Sequence, residues 1–395
     1  MIARAHRRLR SPAALSLLLL LLAHAGCTLP ILNSDPRHSG PRCPIDPIFD
    51  LPAPLLFAHR GGAREVAEST MRGFCHAKCV GADVLELDAR LTKDGTFVVW
   101  HGPSLDNVRI EDQKNFGYQR DRRKICEYTW RELECSARVS DFNPACASGR
   151  CDVSGVKDEP GRRLMPLETF LRAFPCEPIN VEIKDFVVGP SAIDRFVRIL
   201  DAAPACPDTE RRRTVLVAAA DDLVLAEFRR RTGGTYPTNI PIAESIPHAL
   251  LLPPLLSQPG RALQVPPVRP FAASWAVSMA HRAGSAVHVF ITKFLWIDGL
   301  DEFEGQVQPR DIHDLLDRNV DGIMTDRPRE VRPLIDDWRR ERSCISPAQL
   351  AARVPPRLEQ ECRDRCVRDA RERVRSAGGV DPDTTCPGKA DGERP

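Results

Sequence analysis

The sequence has almost no net charge. Its 395 residues carry 56 Lys and Arg against 54 Asp and Glu, a formal +2. With no basic excess to follow a phosphate backbone, nucleic acid is excluded as a partner. A long apolar run is also lacking. The Leu-rich stretch at 13–23 falls short of the ~20 residues that a membrane-spanning helix needs. Zinc-finger spacing is missing too, although there are 14 cysteines. The nearest approach is C-x3-C at Cys75/Cys79 and Cys362/Cys366, which puts each pair on one helix face rather than around a zinc ion. What remains is an ordinary globular composition, 42% hydrophobic and 28% charged, long enough for one large domain with appendages or for two smaller ones.

Arg4, Arg7, Arg8 and Arg10 precede the 13–23 run and small residues follow it, the order of an export signal over residues 1–26. Ala23-His24-Ala25 offers an A-x-A cleavage site. Ala25-Gly26-Cys27 resembles a lipobox with His24 where Leu is usual. Free secretion and a lipid anchor at Cys27 are therefore both expected outcomes, and the anchor is the one route to a membrane. The cysteine content fits an exported, oxidising compartment, and lipidation of Cys27 would leave an odd number of thiols.

Residues 27–53, rich in Pro, Asp and Ser, read as a linker. The patterning then predicts a strand at 55–58, a helix at 69–81, a strand at 84–91 and another at 97–101, with a tight turn at Asp94-Gly95. Charge, Gly, Pro and Cys126, Cys135, Cys146 and Cys151 mark an insertion at about 102–164. Helices are expected at 166–174, 191–203, 221–232, 273–284, 309–319 and 328–342. They alternate with strands at 179–184, 213–219, 286–292 and 321–325, while prolines blur the period over 236–266. Such alternation indicates an α/β fold, a TIM (β/α)8 barrel over 54–342, with a cysteine-rich insertion and a cysteine-containing C-terminal tail over 343–395.

Polar residues interrupt the predicted strand ends. His59-Arg60 closes the first, Glu86-x-Asp88 lies in the second, His101 ends the third and Glu182-x-Lys184 ends the fourth. The C-terminal strand ends of a barrel converge on one face, so these residues would gather there. Alternation puts Glu86 and Asp88 on one side of their strand, and Glu182 and Lys184 on one side of theirs. Three gathered carboxylates repel unless a hard divalent cation, calcium or magnesium, is held between them. Two histidines can divide acid and base work near neutral pH, and Arg60 with Lys184 can hold a phosphate.

The segments FAHRGGAREVAEST, VLELDARLTKDGTFVVWH, INVEIK and VDGIMTDRP, in that order, resemble the glycerophosphodiester phosphodiesterase family over about 55–340. The resemblance implies a metal bound by Glu86, Asp88 and Glu182, with His59 and His101 catalytic. It places Arg60 and Lys184 against phosphate and Glu68 on the site wall, and an aromatic lining residue on Phe290 or Trp296 depending on register. The implied reaction hydrolyses a glycerophosphodiester, such as glycerophosphocholine, to glycerol 3-phosphate and an alcohol. The nucleophile is water or the substrate's own neighbouring hydroxyl.

The sequence departs from the family pattern at Gly102, where Asp usually follows the histidine, and at Ser69, where Asn is usual. Secreted phospholipase D toxins share the histidines and the first acidic pair but carry Asp where Glu182 stands, which favours the phosphodiesterase. A catalytically silent surface-binding protein that keeps the barrel is the reading from another class.

Two expectations concern cysteines. Cys176 and Cys206 each precede a strand, and in neighbouring strands of a parallel barrel they would bridge at the rim opposite the site. In the tail, a helix over about 356–375 carries Cys362 and Cys366, which would bridge outward to Cys344 and Cys386 as a self-contained clamp. On that reading, deletion of 343–395 leaves activity largely intact.

Overall fold

The computed structural model describes residues 44–105, 108–110, 124–134, 137–141, 159–184, 189–206, 214–241, 260–267, 271–291 and 309–383. The export signal, Cys27, Trp296, Cys386 and most of the 102–164 insertion lie outside the described residues.

The barrel is built from β1 (Leu55–Ala58), β2 (Val84–Leu91), β4 (Ile179–Ile183), β5 (Val215–Ala219), β6 (Ala262–Val265), β7 (Ala286–Phe290) and β8 (Gly322–Thr325). These seven strands are parallel and lie side by side in the order β6-β7-β8-β1-β2-β4-β5. The sheet closes through Thr238 and Asn239. Val217 pairs with Thr238 and Asn239 with Ala262, both in parallel. Asn239 N–H donates to the Val217 carbonyl (3.1 Å) and Arg261 N–H to that of Thr238 (2.7 Å). This eighth stave is so short because Pro237 and Pro241 bracket it and cannot donate to a ladder. The same prolines hide it from periodicity.

The third predicted strand is not a barrel stave. β3 (Phe97–Val99) runs antiparallel to β2, with Ala89 opposite Val99 and Leu91 opposite Phe97, across the turn at Asp94-Gly95. His101 therefore reaches the site along a hairpin arm that doubles back on β2, not from a strand end of the barrel.

Alternation sorts the strand residues. Leu85, Leu87, Ile179, Val181, Ile183, Val215 and Val217 join the cluster that includes Phe74, Phe170, Phe196 and Phe228 of α1 (Met71–Cys79), α2 (Leu167–Ala173), α3 (Pro190–Asp201) and α4 (Asp222–Thr232). Leu56, Leu263, Val287, Val289 and Ile323 do the same beneath α5 (Ser274–Arg282), α6 (Pro309–Asp317) and α7 (Pro328–Glu341). The opposite parity fills the barrel with Leu55, Phe57, Val84, Leu216, Ala262 and Met324. Glu86, Asp88 and Glu182 share that inward parity. Gly322 is required here, since a Cβ would lie 2.5 Å from the Phe57 ring.

Two segments predicted to lie outside the barrel belong to it. The end of the expected linker forms an antiparallel pair, Ile45–Asp46 with Leu51–Pro52. It plugs the end where the strands begin. Phe49 meets Phe57 with ring centroids 5.8 Å apart, and buried Asp46 accepts from Ile48 N–H, Phe49 N–H and the His288 ring, each at 2.9 Å.

The expected tail is the second. Its helix α8 (Glu359–Ser376) packs on α1 and α2, burying Val367, Ala370 and Val374 in the main core. The clamp is corrected accordingly, because Cys366 bridges to Cys75 and Cys362 to Cys79. Each C-x3-C pair presents two sulfurs on one helix face, and the two faces meet. The expectation that residues 343–395 are dispensable loses its basis. The Cys176–Cys206 bridge is present, with Cα atoms 4.6 Å apart. Among the described residues no helix is long and apolar enough to cross a membrane.

Candidate active site

The chain leaves β1 in a tight turn, His59–Gly61. Arg60 adopts a left-handed conformation (φ 52°, ψ 28°), which turns its N–H onto Glu86 Oε2 at 2.9 Å. Gly61 follows at φ +82°, where a Cβ would sit 2.6 Å from the backbone of Gly73 in α1. The turn is thus seated directly on the first helix, whose start is fixed by the Thr70 hydroxyl accepting from Gly73 N–H at 3.0 Å.

Around this turn the strand-end residues gather. Ligand oxygens of Glu86, Asp88 and Glu182 lie within 4.8 Å of one another. Arg60 Nε stands 3.2 Å from Asp88 Oδ2, and its Nη1 donates to Glu68 Oε2 at 3.1 Å. Lys184 Nζ donates to Glu182 Oε2 at 2.8 Å and lies 3.3 Å from Asp88 Oδ1. His59 Nε2 is 3.9 Å from Glu86 Oε2, and the rings of His59 and His101 are 6.5 Å apart, edge to face. His59, His101, Arg60, Glu68, Lys184, Glu86, Asp88 and Glu182 are therefore brought together. Phe290 is half-buried at the end of β7, packed against the apolar filling of the barrel.

The hairpin arm holds His101 by its backbone. Trp100 N–H donates to the Asp88 carbonyl at 3.0 Å, and Arg90 Nε donates to the His101 carbonyl at 2.7 Å. The next residue has a steric reason to be glycine. A Cβ on Gly102 would lie 2.9 Å from the Ser104 carbonyl oxygen, the atom that accepts the Trp100 indole N–H at 3.0 Å.

Burial and like charge set the protonation pattern. Burial pushes the Glu86 carboxyl up to about 7, with Asp88 adding to the rise and His59 and Arg60 opposing it. Burial also works against the Asp88 carboxylate, yet Lys184, His101 and Arg60 together hold it well below the usual range. Burial pushes the His101 imidazole down to about 2; Asp88 opposes this, while Arg60 and Lys184 reinforce it. His59 is also buried and beside Arg60, but Glu86 and Asp326 lift it above its ordinary value.

Both Asp88 oxygens are buried and accept no hydrogen bond, although cationic nitrogens stand near them. Buried acceptors normally find donors, so this carboxylate is built for a partner of another kind. Three oxygen donors, two of them buried, suit a hard divalent cation. The residues present fit the metal that the sequence implies.

One contact at the site was missed in the sequence. Asp326 Oδ1 lies 2.5 Å from His59 Nδ1. The signal was available, since Asp326 follows β8 as His59 follows β1.

Residues 59–188 match the Glycerophosphoryl diester phosphodiesterase family. This segment contains the whole cluster apart from Asp326. Over that segment the chain is similar to the glycerophosphoryl diester phosphodiesterase family. Lysophospholipase D GDPD1 of Rattus norvegicus is 36% identical over 132 residues, 32% of this chain and 35% of that protein. A glycerophosphodiester phosphodiesterase of Caldanaerobacter subterraneus subsp. tengcongensis is 48% identical over 54 residues, 14% of this chain and 22% of that protein. The chain thus spans about a third or less of the length of these curated relatives. A solved structure from Silicibacter pomeroyi, named for the same family, covers 72% of this chain and 95% of its own with TM-score 0.55 and 22% identity, a likeness of fold. That structure supports the TIM-barrel assignment over a region extending beyond the matched segment.

Proposed function

We propose that the protein hydrolyses glycerophosphodiesters to sn-glycerol 3-phosphate and an alcohol, with glycerophosphocholine a representative substrate. The observation that carries this reading is the convergence of Glu86, Asp88 and Glu182 to within 4.8 Å, beside two histidines and two cationic side chains. A divalent cation there, Ca2+ or Mg2+, would draw charge from the phosphoryl oxygens and orient the attacking hydroxyl. Arg60 and Lys184, already turned toward the carboxylates, would hold the remaining phosphate oxygens, while Glu68 keeps the Arg60 guanidinium in place. Ring centroids 6.5 Å apart leave both histidines near enough to serve one phosphate beside them. One histidine would take the proton from the attacking hydroxyl. The other would give a proton to the leaving alkoxide as the P–O bond breaks and its electron pair departs with the alcohol oxygen. Phe290, at the end of β7, would line the site. The leading stretch 1–26 and the disulfides of the fold support an exported location.

A second reading is supported by the lysophospholipase D relatives. Removing choline from a lysophospholipid breaks the same kind of bond, and the substrates differ by one acyl chain, so the same residues serve both. Choline release from glycerophosphocholine and from lysophosphatidylcholine separates the two. The metal is tested without turnover, by titrating chelator-treated protein with Ca2+ and Mg2+ calorimetrically. Glu86→Gln and Glu182→Gln should abolish the binding heat and lower turnover by on the order of 10²-fold or more while the fold persists. Turnover indifferent to chelator and to both substitutions would overturn the proposal.

A further inference from the structure

His59 has two ring nitrogens with different surroundings. Nε2 lies 3.9 Å from Glu86 Oε2, on the side of the carboxylate cluster, whereas Nδ1 lies 2.5 Å from Asp326 Oδ1. A carboxylate has no proton to give, so Nδ1 must be the donor. Whether the ring is neutral or cationic, Nε2 is then the nitrogen presented to the reaction, as a lone pair or as N–H.

The surrounding backbone holds Asp326 in place. β8 and β1 are neighbours in register, with Thr325 opposite Ala58, so Asp326 and His59 leave the barrel side by side. The Asp326 carbonyl accepts from Arg64 N–H at 3.1 Å, and Arg64 Nε stands 3.7 Å from Asp326 Oδ2. Gly62 meets Pro328 so closely that a Cβ would lie 3.1 Å from the proline ring. The two turns are wedged against each other by contacts independent of the His59–Asp326 bond.

We propose that Asp326 is a positioning residue for the reaction, fixing the His59 tautomer and aiming Nε2 at the phosphate. This rests on the phosphodiesterase reading above. Asp326 acts only through His59, and the carboxylate is the part that matters, because an amide could rotate to donate to Nδ1 and favour the wrong tautomer.

The test is a double-mutant cycle on the full chain with glycerophosphocholine as probe, measuring kcat and KM for Asp326→Asn, His59→Ala and the double variant. Asp326→Asn should lower kcat on the order of 10²-fold, with KM within about threefold, and should cost nothing further in the His59→Ala background. A near-normal kcat for Asp326→Asn, or losses that multiply in the double variant, would overturn the assignment. A purely structural role would give the multiplied loss. Long-range ¹H–¹⁵N spectra of the unsubstituted protein supply a measurement independent of folding in the variants. The His59 signal, identified by its loss in His59→Gln, should show Nδ1 protonated, and a proton on Nε2 alone would overturn the proposal. Full activity of His59→Ala would instead sink the phosphodiesterase reading itself, so the two failures are distinguishable.

Discussion

The residues most legible in the sequence are those whose position alone gives them a direction. In a strand the parity of Leu85 and Leu87, outward among the helices, turns Glu86 and Asp88 inward, and that parity follows from the spacing of the residues. Asp326 was illegible as a partner of His59 because 267 residues separate them, and only closure of the barrel brings β8 beside β1. Gly102 was legible only as a departure from its relatives. The structure supplies a local reason, since a side chain there would push on the Ser104 carbonyl that receives the Trp100 indole. Restoring the residue usual in the family should therefore harm this protein. Gly102→Asp is expected to cost about 1–3 kcal/mol of stability, by displacement of Trp100 and its neighbours, and to lower turnover by moving His101. Denaturant midpoints and kcat check this. A variant as stable as the parent with raised kcat would mean that the arm relaxes freely and that Gly102 is a deficit rather than a fit.

At the scale of elements, strands and helices with clear periods appear where the sequence puts them, and the failures have physical causes. β3 has the composition of a buried strand, but its direction depends on the turn at Asp94-Gly95, a signal for a hairpin and hence for antiparallel pairing. For α8 the i, i+4 cysteines correctly indicate one helix face but not what the face meets. The matching spacing in Cys75/Cys79 was visible in the sequence, but that the two faces are stapled to each other depends on where the fold sets α8.

The staples also make a distinctive thermodynamic prediction. The bridges span 291 and 283 residues, so either one alone removes nearly the same loop entropy from the unfolded chain. With one in place, the other closes only a few residues of additional ring. Cys75→Ala/Cys366→Ala should cost about 2.5 kcal/mol, and so should Cys79→Ala/Cys362→Ala, whereas losing both should cost about 8 kcal/mol, more than the two single losses together. Urea unfolding of the three variants measures this. Additive losses would show that each bridge acts through local native contacts instead.

On the scale of the whole molecule, the two ends of the barrel use buried charge differently. Where the strands finish, the carboxylates stand close together and Asp88 goes without a hydrogen bond. Where they begin, charge is paired into the scaffold. Asp83 Oδ2, just before β2, accepts from Leu56 N–H at 2.8 Å, from Arg332 at 2.9 Å and from Arg339 at 3.3 Å. Arg339 also donates to the Pro52 and Pro54 carbonyls at 2.6 and 2.8 Å. One carboxylate thus ties β1, β2, α7 and the plug segment together, a role no local pattern reveals because its partners come from distant parts of the chain. Burial alone would raise the Asp83 carboxyl, but Arg332 and Arg339 hold it below its ordinary 3.8. A carboxyl depressed on folding stabilises the native state above its unfolded value and ceases to do so as pH falls through the depressed one. Asp83→Asn, which leaves the buried Arg339 guanidinium without its counter-charge and Arg332 with Asp336 alone at 2.8 Å, should therefore cost about 3 kcal/mol at pH 7. The gap between parent and variant should hold from pH 7 down to about 4 and close below that, as the parent takes up the proton that the variant never needs. Unfolding free energies measured from pH 7 to pH 2.5 decide the point. A gap that stays constant to the lowest pH would mean that Asp83 supports the barrel through its shape and hydrogen bonds rather than through its charge.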